Sequence, residues 1–312
     1  MKIFVTRTLP GDALERLAAR PDVELVVSPH DRPLTRAELR QGLAAAEVAV
    51  TQLVDRLDAE LLDAAPGLKL VCNYAVGVNN VDLEAARARG VAVCNTPDVL
   101  TAASADLTWA LLLAVARRIV EGDRMVREGR FRGWAPQLLL GSAVAGRTLG
   151  VVGLGRIGAA VARRAAGFDM RVLYSSRTPK DVAWEQVSLE RLLGESDFVC
   201  LHPPLTPETH HLLDAERLRL MKPSAYLINL SRGPVVDEQA LIDALRAGTI
   251  AGAALDVFER EPELTPGLAE LENVVLAPHL GSATTEARHA MAELVRSNVE
   301  AHLEGLPLRT PV

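Results

Sequence analysis

The sequence predicts an α/β protein built from two doubly wound parallel-sheet units. Three observations carry this. Short apolar runs alternate with longer helix-like stretches in two separate blocks. Those runs are apolar throughout rather than at every second position, as in strands covered on both faces. A glycine-rich turn stands where a strand passes into a helix. The 312 residues suit about two domains at roughly 100–200 residues each. Apolar residues make up 49%, too many for a disordered chain. Aromatics are only 4%, so Ala, Val and Leu must fill the core.

In the first block, strands are expected at Lys2–Thr6, Val23–Val27, Val48–Thr51, Leu68–Cys72 and Val91–Cys94. Helices fall between them at Pro10–Ala19, Thr35–Leu43, Ala59–Ala65 and Leu83–Arg89. Thr35 followed by Glu38 is a capping-box pattern, and Gly90 stands where a helix end favours glycine. Asn95-Thr96-Pro97 marks a turn. One long helix is expected next, from about Ala102 to Glu121, either bridging two domains or packing against a partner subunit. After a loop holding Trp134 and Pro136 the alternation restarts. Strands are expected at Thr148–Val152, Arg171–Tyr174, Phe198–Leu201, Ala225–Asn229, Ala253–Val257 and Val274–Leu276, with a helix at Arg156–Ala166. Gly146–Leu276 is thus the second doubly wound unit.

Thirty-four Lys and Arg against 40 Asp and Glu leave a net charge of −6. That argues against a protein whose main task is coating nucleic acid. Leu107–Val120 is the most apolar stretch, but Arg117 and Arg118 interrupt it and it is too short to span a bilayer. The first residues read as a strand, not a signal peptide. Cys72, Cys94 and Cys200 lack metal-ligand or redox spacing, so no metal is expected and the thiols read as reduced and buried in a cytoplasmic protein.

Gly153-Leu154-Gly155-Arg156-Ile157-Gly158 follows the strand ending at Val152 and opens an Ala-rich helix. In this context the pattern points to a dinucleotide. Gly153 permits the tight turn, Gly155 lets backbone approach a pyrophosphate, and Gly158 lets helix and strand pack closely. The helix N-terminus supplies N–H donors and a positive dipole end. The next strand ends in Tyr174-Ser175-Ser176-Arg177-Thr178. Ser176 stands where an NAD-binding unit usually carries an acid. Arg177 and the hydroxyls of Ser175, Ser176 and Thr178 suit a 2′-phosphate. NADP is therefore the expected cofactor, with NAD possible.

Three polar residues follow strands of the second block: Arg232 in Asn229-Leu230-Ser231-Arg232-Gly233, Glu261 in Asp256-Val257-Phe258-Glu259-Arg260-Glu261-Pro262, and His279 in Ala277-Pro278-His279-Leu280-Gly281. Ligands of doubly wound sheets bind at the carboxyl ends of the strands. A guanidinium, an acid and an imidazole gathered there suit a 2-oxo acid: an anchor, an orienting group and a proton donor. A free imidazole titrates near pH ~6.5, and a carboxylate partner raises that value.

Together with Asn73-Tyr74-Ala75-Val76-Gly77-Val78-Asn79-Asn80-Val81-Asp82, Asn95-Thr96-Pro97 and Leu201-His202-Pro203-Pro204-Leu205-Thr206, these motifs resemble the D-isomer-specific 2-hydroxyacid dehydrogenases over essentially the whole chain. Within that family the Tyr-Ala-Val-Gly run, the Ser-Arg-Thr run and Trp134 point to the glyoxylate/hydroxypyruvate reductase branch. The resemblance implies a flavodoxin-like substrate domain, residues 1–97 plus 282–312. It implies a Rossmann dinucleotide-binding domain, residues 98–281, with the active-site cleft between the two.

It also implies residue roles. Arg232 would bind the substrate carboxylate and carbonyl oxygen. His279 would be general acid in reduction and general base in oxidation, with Glu261 orienting it. Leu53, Val76 and Gly77 would contact substrate. Asp256 would face the nicotinamide carboxamide. Thr101, His202, Pro203, Thr206, His279 and Gly281 would lie along the cofactor, joining Arg156 and Ile157 of the glycine turn. Trp134 would reach the neighbouring pocket of a homodimer. Asn79 departs from the family, which usually has Asp there. His210, His211 and His289 read as structural.

Other members of the family are alternatives. D-3-phosphoglycerate dehydrogenase needs cations for a substrate phosphate, which Thr51-Gln52-Leu53-Val54 lacks. D-lactate and formate dehydrogenases normally carry an acid at the Ser176 position. A cofactor-sensing co-repressor would share the fold but has no need of Arg232, Glu261 and His279 together.

Overall fold

In the computed structural model, which describes residues 1–312, the chain divides into Met1–Leu100 with Ser282–Val312 and, separately, Thr101–Gly281. The first unit carries β1 (Lys2–Val5), α1 (Ala13–Ala18), β2 (Glu24–Val27), α2 (Arg36–Ala44), β3 (Val48–Thr51), α3 (Ala59–Asp63), β4 (Leu70–Asn73), α4 (Leu83–Ala88) and β5 (Ala92–Cys94). All pairings are parallel, in the order β2-β1-β3-β4-β5, the flavodoxin-like arrangement. β3 and β4 are buried at every position, which is why they read as unbroken apolar runs. The capping box of Thr35 and Glu38 is present at α2. Asp58 and Asp82 cap α3 and α4 by accepting N–H bonds from Leu61 and Ala85. The C-terminal helix of the chain, Thr285–Leu303, packs against β4, and the Tyr74 hydroxyl donates to the Arg288 carbonyl at 2.7 Å.

The second unit opens with α5 (Thr101–Ala116) and α6 (Ile119–Arg127). It continues through β6 (Thr148–Val152), α7 (Arg156–Arg164), β7 (Arg171–Ser175), β8 (Glu185–Gln186), α8 (Leu189–Glu195), β9 (Phe198–Leu201), α9 (Ala215–Leu218), β10 (Tyr226–Asn229), α10 (Glu238–Arg246), β11 (Gly252–Leu255) and β12 (Val274–Leu276). Its order is β12-β11-β10-β9-β6-β7-β8, again parallel throughout. The order reverses at β6 and β9, so the connections leaving their carboxyl ends run in opposite directions along the sheet. One apolar layer, with Trp109, Leu112, Val161 and Ile228, lies against α5 and α7. Another, with Leu192, Leu201, Leu241 and Ile250, lies against α8 and α10. All three cysteines are free and buried.

Some expectations change. The single helix over Ala102–Glu121 is two helices, because Arg118 takes the left-handed conformation (φ 52°). The carbonyl of Ala116, which would continue the ladder, instead accepts the N–H of Ser142 at 2.8 Å. Gly141 permits that approach, since a Cβ there would lie 2.4 Å from the same carbonyl oxygen. α5 packs into the core of the second unit, where the Trp109 indole donates to the Val161 carbonyl at 3.1 Å. Element ends also shift: α1 begins at Ala13 rather than Pro10, β4 spans Leu70–Asn73 rather than Leu68–Cys72, β11 ends at Leu255 rather than Val257, and the two-residue β8 has no apolar signal in the sequence.

Candidate active site

The carboxyl ends of β10, β11 and β12 lie side by side and release three loops. Arg232 stands on the first, Glu261 on the second and His279 on the third. Glu261 Oε2 lies 2.9 Å from Nδ1 of His279, and its Oε1 accepts the Phe258 N–H at 3.0 Å. Arg232 is half-buried, and its guanidinium donates to the Ser231 carbonyl at 2.7 Å. Gly233, immediately after it, touches the Glu261 loop directly. A Cβ on Gly233 would lie 1.9 Å from the Phe258 carbonyl group. Only glycine allows these two backbones so close, which brings the Arg232 and Glu261 loops together.

The electrostatics follow from burial and charge. Desolvation pulls the Arg232 guanidinium down from its ordinary value, and the charge of Glu261 opposes this. An arginine so placed stays cationic at neutral pH. Burial pushes the Glu261 carboxyl up, but the hydrogen bond and charge of His279, the Phe258 N–H and Arg232 together hold it below its usual value. Glu261 is thus ionised at neutrality beside the imidazole. A half-buried cation thus stands near a carboxylate–imidazole pair, chemistry able to hold an anion and to move a proton.

His279 itself adopts a left-handed backbone (φ 55°). Its N–H donates to the Asp256 carbonyl at 2.9 Å. The Asp256 carboxylate, 1% exposed, accepts the N–H of Leu280 at 2.6 Å and that of Gly281 at 2.8 Å. Burial raises its pKa against the pull of those N–H bonds and of His279. Asp256 therefore shapes the His279 turn. The sequence reading missed this, because an acid after a strand does not reveal which N–H groups it will meet.

The glycine turn has the form its spacing implies. Gly153 has φ 89°, and a Cβ on it would lie 2.7 Å from the Pro203 nitrogen. A Cβ on Gly158 would lie 2.2 Å from the Gly153 carbonyl oxygen. Gly155 differs: nothing lies within 4 Å of its Cβ position. It is the N-cap of α7 and offers no side chain to the first N–H groups. Two glycines thus close the turn and the third leaves open space in front of a helix N-terminus, where a pyrophosphate fits. The backbone of His202 lies against Gly153, and Nε2 of its ring is buried with no hydrogen-bond partner. Burial lowers that ring's pKa to about 4, so the imidazole is neutral at working pH.

Comparison with known proteins identifies the family. The family described as D-isomer specific 2-hydroxyacid dehydrogenase, NAD binding domain, matches residues 109–281. A glyoxylate reductase from Thermococcus onnurineus is 51% identical over 97% of this chain and 93% of its own length. A solved structure from Thermus thermophilus is 52% identical and superposes over the whole of both chains with a TM-score of 0.94. An NADPH-dependent glyoxylate/hydroxypyruvate reductase from Sinorhizobium meliloti, solved with NADP and malonate, is 36% identical with a TM-score of 0.90, covering 100% of this chain and 96% of that one. The chain belongs to the D-isomer-specific 2-hydroxyacid dehydrogenases.

Further features of this dehydrogenase bear on the expected site. β7 ends at Ser175, and Ser176 Oγ donates to the Thr178 carbonyl at 2.7 Å. Arg177 is exposed. Glu208 is held below its usual range chiefly by the Thr206 hydroxyl and its own backbone N–H, with the Arg177 charge adding to them. Thr206 is fixed by Thr209, whose hydroxyl accepts the Thr206 N–H at 2.8 Å. Thr101 begins α5, and Ser104 one turn on donates to the Gly281 carbonyl at 3.0 Å.

In the first unit, Leu53 follows β3 and Val76 and Gly77 follow β4. Amide side chains hold this region. Asn95 donates to the Val76 carbonyl at 2.8 Å and Asn73 to the Gly77 carbonyl at 2.9 Å. Asn80 donates to the Gln52 and Asp55 carbonyls at 3.1 and 3.0 Å. With their carbonyls fixed, the N–H groups of this loop are set in orientation. Asn79 is exposed. Trp134 is 85% exposed, and α6 before it buries none of its residues. No helix is long and apolar enough to cross a membrane.

Proposed function

We propose that this dehydrogenase reduces glyoxylate or hydroxypyruvate to the D-2-hydroxy acid and prefers NADP(H). The contact that carries the reaction is the 2.9 Å approach of Glu261 to His279 Nδ1 beside the cationic Arg232. The substrate class comes from relatives named as glyoxylate and glyoxylate/hydroxypyruvate reductases.

Arg232 anchors the substrate carboxylate and stabilises charge growing on the carbonyl oxygen. His279, tethered through Nδ1, offers Nε2 as the proton donor to that oxygen and takes the proton back in oxidation. Glu261 fixes the tautomer and stabilises the imidazolium. The Val76 and Gly77 N–H groups bind the substrate carboxylate, and Leu53 lines its surroundings. When bound, the nicotinamide supplies the hydride. Gly153, Gly155, Arg156, Ile157 and Gly158 hold its pyrophosphate. Ser175, Ser176, Arg177 and Thr178 take the 2′-phosphate, where the absence of an acid at position 176 supports NADP. Thr101, His202, Pro203, Thr206, Asp256 and Gly281 complete the cofactor site. On this reading Met1–Leu100 with Ser282–Val312 is the substrate domain and Thr101–Gly281 the dinucleotide domain.

The protein is read as a cytoplasmic homodimer in which Trp134 reaches the neighbouring subunit's pocket. The exposure of Ile119, Val126, Phe131, Trp134 and Leu140, an apolar surface along one stretch, supports the dimer. The deciding experiment is a panel of glyoxylate, hydroxypyruvate, pyruvate and phosphohydroxypyruvate with each nicotinamide. Highest kcat/KM with the first two and NADPH is expected. A preference for phosphohydroxypyruvate, or for NADH, would overturn the substrate or the cofactor assignment respectively.

A further inference from the structure

Glu238 is a buried acid for which the proposed reaction has no use. It is the first residue of α10 and 1% exposed. Its Oε1 accepts the N–H of Glu259 at 2.6 Å, and its Oε2 accepts the hydroxyl of Thr265 at 2.6 Å. Those partners stand on either side of Glu261 in the chain. Between them the loop folds back on itself, with Arg260 bridging to Glu263. The link to Glu259 is reciprocal: the Glu238 N–H donates to Glu259 Oε2 at 3.3 Å, while Glu259 Oε1 lies 2.9 Å from Nε2 of His211. The His211 N–H in turn donates to the Pro234 carbonyl at 2.8 Å, two residues beyond Arg232.

An acid in the first turn of a helix is favourable by itself through the helix dipole. That explains an exposed glutamate, not a buried one. Burying a carboxyl is costly unless its oxygens are satisfied, and here both oxygens are spent on the two stems of a single loop. From that loop Glu261 reaches the imidazole, its Oε2 2.9 Å from Nδ1. The charged groups around that pair are Arg232, Asp256 and His279 itself. Those around Glu238 are Glu259 and, beyond it, His211 and Asp237.

We propose that Glu238 is a positioning residue: it clamps Glu259 and Thr265 so that the loop between them delivers Glu261 to Nδ1 of His279. This inference rests on the roles read above for Glu261 and His279. Releasing either stem lets Glu261 drift, and the imidazolium then loses its stabilising partner in proportion.

The test compares Glu238→Gln, Thr265→Val, Glu261→Gln and the double variant E238Q/E261Q in the full chain. The His279 ring is titrated by NMR without cofactor, assigned by its loss in His279→Ala, and the pH profile of kcat is measured beside it. Glu261→Gln is expected to move the ring's titration midpoint to lower pH. Glu238→Gln should move it the same way by less, about a two- to threefold loss of proton affinity, roughly 0.3–0.5 of a pH unit. Thr265→Val should do likewise, with Thr265→Ser restoring the parent value. The double variant should titrate as Glu261→Gln does, because two changes acting through one group do not add. A shift in Glu261→Gln with folded Glu238→Gln and Thr265→Val left at the parent midpoint would overturn the clamp alone. No shift in Glu261→Gln would overturn the clamp and the reading beneath it. If Glu238→Gln does not fold, Thr265→Val, which leaves the acid in place, decides the matter.

Discussion

The loops at the carboxyl ends of the two sheets are held by different chemistry. In the first unit Asn73, Asn80 and Asn95 brace the loops after β3 and β4 with neutral amides. In the second unit the loops after β10, β11 and β12 are held and filled by Arg232, Glu238, Glu259, Glu261 and His279. An amide has no titration near neutrality, so a loop fixed by amides presents its N–H groups alike at every working pH. A carboxylate–imidazole pair changes its charge with pH and can move a proton. The first arrangement suits holding an anion, the second suits changing one. If this contrast is functional, damage to the first sheet's loops should appear in binding, and damage to the second's in turnover and its pH dependence.

The largest effect should come from His279, the proposed proton donor. His279→Ala should lower kcat by about 10²–10⁴-fold, the usual worth of general acid catalysis. Steady-state rates at saturating cofactor measure it. Activity within a few-fold of the parent would show that some other group donates the proton.

Next comes the close approach that joins two of the charged loops. Gly233→Ala puts a methyl 1.9 Å from the Phe258 carbonyl group, which backbone cannot absorb without moving. Overpacking of this kind typically costs about 1–3 kcal/mol, or several degrees of Tm. Separation of Arg232 from Glu261 by an ångström should cost on the order of 10²-fold in kcat. A variant with lowered Tm but unchanged kcat would show that the approach serves stability only.

Both of those sites differ in how readable they were from sequence. Arg232, Glu261 and His279 each lie a few residues beyond an apolar run, so the strand pattern itself put them at carboxyl ends. β3 and β4 were legible because both faces are buried. The break between α5 and α6 was not, because it depends on the Ala116 carbonyl meeting Ser142 across an intervening loop. Nor was the service of Asp256 to Leu280 and Gly281, or of Glu238 to Glu259 and Thr265. A carboxyl at a strand or helix end looks the same in sequence whether it faces water, a ligand or the backbone of a distant loop. β8 escaped notice because Glu185 and Gln186 sit at a sheet edge and are exposed.

Glu261→Gln tests the charged arrangement at constant shape. Glu261 is held below its usual carboxyl value by His279 and its other partners despite burial, so it is anionic throughout the neutral range. Its anion favours the protonated imidazole that reduction requires. A neutral amide removes that support, so kcat for reduction should fall off at a lower pH than in the parent, while KM for the 2-oxo acid changes little. An unmoved pH profile would take Glu261 out of this role.

The smallest effect should come from the neutral arrangement, and its value lies in what does not move. Asn95→Ala removes one amide donor from the Val76 carbonyl, 2.8 Å away. A neutral hydrogen bond of this kind contributes about 1 kcal/mol net, equivalent to roughly a fivefold change in an equilibrium constant. Because Asn95 bears on a loop proposed only to bind, the loss should fall on KM for the 2-oxo acid. Because the amide does not titrate, the pH profile of kcat should overlay that of the parent. If Asn95→Ala instead shifted that profile as Glu261→Gln is expected to, the proton-moving pair would depend on the amide-held loop as well. The division between a holding sheet and a reacting sheet would then be false.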